Sequence, residues 1–361
     1  MTHASPPTTC HETDALVIGA GPVGLFQVFQ LGLQGIHAHV VDTLPQAGGQ
    51  CLALYPEKPI YDIPGLPRCT GAELTERLRQ QCAPFAPTMH WGQEVSALQR
   101  QPDGRLLVQT TAGVSFLTRT LFIAAGVGAF VPRKLRIAEL DAHEGTRVFY
   151  QPPVLPPLQG PQLLIVGNGE QAVQAALALA PAEASSARCV TLVHRQDQFD
   201  APEDDLAQLQ ALRQAGRVHF IAGQPVAVKP PGDAAVQAPI THLVLALDDD
   251  SERAVPFDQM LVYQGLSPRL GPLAQWGLAM ERKLLTVDPA TCSTSEPGIF
   301  AVGDICHYPG KRKLIVCGFH EATLAGFAAA ALLRPDTPVH VQYTTTSALL
   351  QHRLGVTPDV K

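Results

Sequence analysis

The chain has 361 residues, of which 46% are hydrophobic and 16% charged, and its formal net charge at pH 7 is −6. That length suits two domains with separate cores, and the composition is that of a globular protein rather than a disordered one. The net negative charge argues against a nucleic-acid binder. The best apolar stretch, residues 322–333, is too short to cross a membrane. Because residues 1–12 also lack the basic and apolar parts of an export signal, we expect a cytoplasmic protein.

The first informative element is a glycine-rich turn, Gly19-Ala-Gly-Pro-Val-Gly24, which follows a short apolar run. In such a turn the first glycine permits a tight reversal from strand to helix. The second, Gly21, lets the backbone approach a pyrophosphate, and Gly24 lets helix and strand pack closely. A helix is predicted to begin at Pro22, and its N-terminus would bind the phosphates of one dinucleotide.

An acidic residue follows the next predicted strand. Asp42 lies 21 residues after Gly21, about where a carboxylate meets the ribose hydroxyls of an adenosine in this kind of unit. The alternative is an ordinary surface aspartate at a strand end.

The second glycine-rich turn, Gly167-Asn-Gly-Glu-Gln-Ala172, has the same form, with small residues at Gly167, Gly169 and Ala172. The strand after its predicted helix leads to His194 and Arg195. These are bases at the position that reads the ribose, which favours a 2′-phosphate and hence NADP over NAD. Such residues also occur at strand ends without any ligand.

A third element, residues 294–304, contains a short apolar strand between Gly298 and Gly303 and ends in Asp304. Together with the first turn it completes the FAD site of two-dinucleotide flavoproteins, in which the aspartate meets the ribityl or pyrophosphate region. The first dinucleotide is then FAD and the second a nicotinamide cofactor.

The order of these elements predicts an α/β protein of two three-layer, Rossmann-like domains, with the nicotinamide domain inserted into the FAD domain. Residues 248–251 are predicted to turn a hairpin in the inserted domain, and residues 230–239 to form a surface loop. The expected boundaries are a mobile tail at 1–13, an FAD-binding domain at 14–126 and 290–336, an NADP(H)-binding domain at 127–289, and a C-terminal tail at 337–361 that covers the flavin.

Cysteine and histidine give no sign of a metal. The eight cysteines include no pair with a two-residue gap, and the thirteen histidines form no HExxH or Cys/His array. Basic runs at 133–136 and 311–313 are either solvated surface or a docking site for a small acidic protein.

Beyond these turns, several strings resemble ferredoxin–NADP reductases of the thioredoxin-reductase-like type (type 2). Together with the turns they cover almost all of residues 14–350, in the family's order. The strings are Leu44–Gln50, Ala53–Lys58, Ile60–Gly65, Gly128–Leu135, Tyr308–Lys311 and Gly318–Ala322.

The resemblance implies a homodimeric FAD enzyme that passes electrons between NADPH and ferredoxin or flavodoxin. A hydride would move from the nicotinamide to flavin N5, followed by one-electron steps to the partner. No cysteine lies between Cys82 and Cys189, so the dithiol route of thioredoxin reductases is excluded.

The resemblance also implies roles for single residues around the FAD. Tyr55 would stack on one flavin face, and Tyr343, in the tail from the partner subunit, on the other. A larger set would contact the cofactor: Asp42, Gln50, Asp304, Thr345, and Glu321 with Ala322, the last two opening a helix that faces the flavin's pyrimidine edge.

The chain departs from the family pattern in two places. Tyr343 stands where the family usually has histidine. Gln196 and Asp200 stand where family members typically carry further arginines for the 2′-phosphate. The choice between NADPH and NADH therefore stays open. The alternatives are an NAD(P)H-dependent reductase of another acceptor, such as a quinone, free flavin or ferric chelate, and a non-catalytic nicotinamide sensor.

Overall fold

The computed structural model describes residues 10–152, 154–230 and 240–356. The chain divides into unit 1, residues 1–129 and 268–361, and unit 2, residues 130–267. The return to unit 1 thus comes at 268, earlier than the sequence boundary of 290. Residues between the two positions explain the difference, because Leu273, Leu278 and Leu285 are buried in a core cluster of unit 1.

Unit 1 is built on a seven-stranded sheet of order β5-β2-β1-β8-β7-β6, with β21 also paired to β8. Strands β1, β2, β5, β8 and β21 pair in parallel, and β6 and β7 extend the sheet antiparallel. The strands are β1 Cys10–Ile18, β2 Ala38–Val41, β3 Pro59–Ile60, β4 Cys69–Thr70, β5 Thr88–His90, β6 Val95–Arg100, β7 Leu106–Thr110, β8 Ser115–Ile123, β19 Met280–Glu281, β20 Leu284–Thr286, β21 Ile299–Ala301 and β22 Cys306–His307. Its helices are α1 Pro22–Leu33, α2 Gly49–Leu54, α3 Gly71–Cys82, α6 Ile315–Leu333 and α7 Ala348–Arg353.

The first strand shows why this sheet has a core on each face. Successive side chains of a strand point to opposite faces. Ala15 and Val17 accordingly pack in the cluster that contains α1, α3 and α6, whereas Leu16 and Ile18 pack in a second cluster on the other face. A strand buried on both faces is apolar throughout, which is the pattern the sequence predicts.

Unit 2 repeats this arrangement with a parallel sheet of order β10-β17-β11-β12-β13. In β11, Leu163 and Ile165 face one core cluster, and Leu164 and Val166 face the other. The strands of unit 2 are β10 Val148–Tyr150, β11 Gln162–Gly167, β12 Cys189–His194, β13 His219–Ala222, β14 Gln224–Lys229, β15 His242–Ala246, β16 Glu252–Pro256 and β17 Gln259–Tyr263; its helices are α4 Glu170–Leu179 and α5 Glu203–Gln214. The predicted hairpin is confirmed, since β15 pairs antiparallel with β16. Strands β9 Ala129–Pro132 and β18 Leu266–Arg269 carry the chain between the units.

One expectation about the ends of unit 1 needs correction. Residues 10–13, placed in a mobile tail, belong to β1 and pair in parallel with β8 from Ser115 to Thr118. The strand therefore continues beyond its apolar part, held by backbone hydrogen bonds. Residues 1–9 of the expected tail, 231–239 of the expected loop and 357–361 of the C-terminal tail lie outside the described residues.

Helix α6 is longer than the sequence suggested. It spans 19 residues and, among the described residues, is the one helix apolar and long enough to cross a membrane. The expectation of a shorter stretch was wrong because Glu321 does not end the apolar segment: its carboxylate is buried against Lys311. Ala325 and Ala329 of α6 pack in the same core cluster as Leu25 and Val28 of α1, so α6 is a core helix of unit 1.

Candidate functional site

The first glycine turn is shaped by contacts that only glycine allows. Gly19 has a φ of +102°, and a Cβ there would lie 2.5 Å from the carbonyl oxygen of Ala124. A Cβ on Gly24 would lie 1.9 Å from the carbonyl oxygen of Gly19. Gly21 caps α1 without any side-chain hydrogen bond, so first-turn N–H groups of the helix remain available to an anion.

The loop after Asp42 folds back against this turn. A Cβ on Gly49 would lie 2.8 Å from the Cα of Gly21, so this approach again requires glycine. Helix α2 then begins, with Gln50 near its start and Tyr55 just after its end. Tyr55 is half-buried, its hydroxyl is 4.0 Å from the sulfur of Cys51, and burial raises its pKa to about 12. The hydroxyl therefore stays protonated at neutral pH.

Asp42 has a structural task that the sequence did not reveal. One carboxylate oxygen accepts the N–H of Ala20 at 2.6 Å, and the other accepts the N–H of Leu44 at 2.8 Å. The side chain is buried, which raises its pKa, while these two hydrogen bonds lower it. The carboxylate thus ties the first glycine turn to the following loop. The sequence showed only that Asp42 lies 21 residues after Gly21. Its two hydrogen bonds depend on how the chain folds.

Substituting Asp42→Asn is expected to weaken FAD binding by about tenfold. An asparagine keeps one acceptor oxygen and turns an NH₂ group towards a backbone N–H, so a charge-assisted bond is replaced by two opposed donors. The measurement is a fluorescence titration of the FAD-free chain with FAD. Asp336→Asn, at an exposed position, is the control. Equal affinity of Asp42→Asn and the unmodified chain would contradict this role.

The third element reaches the same edge of the sheet. Strands β1, β2 and β21 belong to one parallel array, so their carboxyl ends lie together. They lead respectively to Gly19, Asp42 and the turn of Gly303–Ile305 that contains the half-buried Asp304. Ligands of open α/β sheets bind at this edge. The structure therefore gathers these predicted FAD residues at one place.

Glu321 and Ala322 do not open a helix, contrary to expectation. Helix α6 begins at Ile315, with Leu314 as its N-cap, because the apolar residues before Glu321 already continue the helix. Both Glu321 and Ala322 are buried, at 1% and 0% exposure. Their backbone N–H groups lie inside the helix rather than at its free N-terminus.

The second glycine turn, in unit 2, matches the first in its features. Gly167 has a φ of +151°, and a Cβ there would lie 2.3 Å from the carbonyl oxygen of Tyr263. Gly169 caps α4 with no side-chain hydrogen bond, and the space around its missing Cβ is open. Ala172 is fully buried. As in unit 1, the helix therefore begins at a turn of small residues, and no side chain caps its N-terminus.

His194 and Arg195 follow β12 at the carboxyl edge of this second sheet. The Nδ1 atom of His194 lies 3.0 Å from the carbonyl oxygen of Gln196. The nearby carboxylate of Asp197 is held by Arg213 through two bonds of 2.8 and 2.6 Å. Exposed Arg195 has no ion-pair partner among the described residues, so its guanidinium is available to a phosphate.

Asp200 lies beside the second glycine turn. Its N–H donates to the carbonyl oxygen of Asn168 at 2.9 Å, and it forms a β-bridge with Gly169. The backbone of Asp200 is therefore held against the turn that would bind the phosphates. The exposed carboxylate of Asp200 places a negative charge near this turn, and such a charge disfavours an anion. The sequence showed only that an acid stood there; its position against the turn comes from the fold.

The C-terminal tail is anchored at the far end of α1. The guanidinium of Arg353 donates to the carbonyl oxygen of Leu33, and a Cβ on Gly35 would lie 2.5 Å from that guanidinium. Tyr343 is 70% exposed, and Thr345 is also exposed. In the single chain, these two predicted flavin contacts face solvent.

In the part of the chain that the structure describes, the cysteines and histidines form neither a disulfide nor a metal site. All eight cysteines are free. No group of three or more His, Cys, Asp or Glu side chains is arranged to hold a metal ion.

Comparison with known proteins gives consistent results. A family model described as pyridine nucleotide-disulphide oxidoreductase matches residues 13–325. The chain is 55% identical over 347 residues to a ferredoxin–NADP reductase of Paracidovorax citrulli, covering 96% of each chain. It is 54% identical over 360 residues to one of an Acidovorax species, covering 99% of each.

Solved structures share the fold at low identity. A thioredoxin reductase of T. acidophilum matches with a TM-score of 0.52 at 17% identity, over 90% of this chain and 99% of that one. The bacillithiol disulfide reductase of Staphylococcus aureus matches with a TM-score of 0.56 at 15% identity, over 91% and 100%.

Proposed function

Because the chain belongs to the ferredoxin–NADP reductases within the pyridine nucleotide-disulphide oxidoreductase family, we propose that it transfers electrons between NADPH and ferredoxin by way of FAD. The observation that carries the proposal is the pair of uncapped helix N-termini, one in each unit, behind turns that only small residues can form. Each is a binding site for a dinucleotide pyrophosphate.

FAD binds unit 1 in this proposal. Gly19, Gly21 and Gly24 shape the pyrophosphate site at Pro22 and the start of α1. Further contacts come from the carboxyl edge of the sheet and the segments that follow it: Asp42, Gln50, Tyr55 and Asp304. FAD would supply the acceptor of a hydride and the donor of single electrons, and Tyr55 would hold the flavin by stacking. Ala322 is fully buried, so it supports the FAD site only by packing α6 in the core of unit 1.

NADPH binds unit 2. Gly167, Gly169 and Ala172 shape the pyrophosphate site, and Arg195 with His194 holds the 2′-phosphate. Asp200, whose N–H bonds the carbonyl oxygen of Asn168 beside the second glycine turn, opposes this anion. It favours NADH as a second donor, because a cofactor without the 2′-phosphate is repelled less.

Each unit has exposed cations that would provide a docking surface for an acidic ferredoxin or flavodoxin. Two lysines of the basic runs are already engaged: Lys134 bonds Asp141 and Glu144, and Lys311 is buried against Glu321. The exposed cations that remain in these runs are Arg133, Arg136, Arg312 and Lys313.

The active form is a homodimer in the cytoplasm. Tyr343 and Thr345 are exposed in the single chain, and a second copy is the partner whose flavin they would cover. An aromatic ring supplies a large flat contact for such stacking.

Anaerobic half-reactions test the proposed function. The flavin absorbance of the purified holoenzyme is expected to bleach when NADPH is added and to return when oxidised ferredoxin follows. Bleaching without recovery by ferredoxin, together with recovery by a quinone or ferric chelate, would assign another acceptor. A chain that binds NADPH but carries no flavin would be a nicotinamide sensor.

A further inference from the structure

Glu321 is the centre of a buried polar network in unit 1. One carboxylate oxygen accepts the N–H of Gly303 at 2.7 Å and lies 3.4 Å from the sulfur of Cys306. The other accepts the hydroxyl of Tyr308 at 2.8 Å and the ammonium of Lys311. The side chains of Glu321 and Lys311 are only 1% and 5% exposed. A carboxylate so far from water requires these donors, because an unpaired buried charge is costly.

All four donors come from one segment, residues 303–311, which also contains Asp304. The single carboxylate on α6 therefore holds the whole segment against that helix. Gly303 has a φ of +80°. Because glycine adopts positive and negative φ about equally readily, a hydrogen bond to its N–H selects one of these conformations. Fixing Gly303 also sets the backbone from which the side chain of Asp304 projects.

The same region packs directly on the helix of the first glycine turn. A Cβ on Gly318 of α6 would lie 2.3 Å from a methyl of Val23, in the first turn of α1. A Cβ on Gly303 would lie 3.4 Å from another methyl of Val23. Gly303 of the third element and Gly318 of α6 thus both pack against Val23 of α1.

We propose that Glu321 is a positioning residue for FAD: paired with Lys311, it fixes residues 303–311 so that Asp304 is presented to the cofactor. This inference rests on the proposed function, since it assumes FAD in unit 1. Glu321 thus acts on the cofactor through Asp304 and does not itself contact the flavin.

The test uses the full-length chain freed of FAD, with two readouts: affinity for FAD by fluorescence titration, and thermal unfolding without FAD. Glu321→Gln leaves the ammonium unpaired and Lys311→Met leaves the carboxylate unpaired, and each is expected to weaken FAD binding by about tenfold or more. Lys283→Met changes an exposed lysine of unit 1 outside this segment, and is expected to bind FAD as the unmodified chain does.

The double variant Glu321→Leu with Lys311→Met separates positioning from stability. Replacing both partners of a buried ion pair by apolar groups leaves no unpaired buried charge, so its unfolding temperature is expected to rise above that of either single variant. Leucine accepts no hydrogen bond from Gly303 or Tyr308, so the affinity for FAD is expected to stay about tenfold low.

Recovery of FAD affinity together with the unfolding temperature would overturn the inference, as would unchanged affinity in Glu321→Gln. Failure of the unmodified chain to bind FAD would overturn the proposed function, and this result appears before any variant is compared.

Discussion

Protein with valine in place of Gly24 is expected to be isolated without flavin. The Cβ position at Gly24 is only 1.9 Å from the carbonyl oxygen of Gly19, and Gly19 itself packs closely against Ala124, which limits how far that oxygen can shift. Helix α1 must therefore shift away from β1, which removes the pyrophosphate site. The absorbance ratio of flavin to protein in Gly24→Val measures the loss.

A reciprocal pair of alanine variants shows which turn binds which cofactor. Gly21 and Gly169 have φ values of −69° and −80°. Outside the neighbouring chain, the nearest atom to a Cβ at Gly21 is the Cα of Gly49, at 3.9 Å. Either alanine is thus compatible with the fold and obstructs only the approach of a pyrophosphate. Gly21→Ala is expected to lose FAD, and Gly169→Ala to keep FAD and lose NADPH. Normal flavin content in Gly21→Ala would contradict the assignment.

Removal of the Arg195 guanidinium is expected to lower kcat/KM for NADPH by about tenfold to a hundredfold, the value of a charge-assisted hydrogen bond of about 1.5–3 kcal/mol. The value for NADH should change little, because NADH has no 2′-phosphate. Steady-state assays of Arg195→Ala with both donors measure the ratio.

Two further variants complete this prediction. Arg188→Ala, at an exposed position before β12, is the control and should leave the ratio unchanged. Asp200→Asn removes the charge beside Asn168 and should raise kcat/KM for NADPH more than for NADH. Equal losses with both donors in Arg195→Ala would show that the guanidinium binds something other than the 2′-phosphate.

Local sequence patterns predicted the two glycine turns and the elements around them well. Helix α1 begins at Pro22 and α4 at Glu170, because small residues, an apolar strand before the turn and helix formers after it all indicate the same structure. The strands before these turns are apolar on both faces, which is a local property of buried parallel strands.

What the sequence could not reveal depends on contacts between distant residues. The family resemblance placed the start of a helix at Glu321, whereas α6 begins at Ile315 and Glu321 is buried within it against Lys311. The second task of Asp42 depends on the N–H groups of Ala20 and Leu44. Sequence spacing carries no signal for such bonds.

The most direct test of electron transfer from NADPH to ferredoxin is cytochrome c reduction at equal NADPH and NADH, with and without added ferredoxin. We predict turnover that depends on ferredoxin and is faster with NADPH. Turnover that is indifferent to ferredoxin, or faster with NADH, would contradict the proposed partner or the proposed role of Arg195.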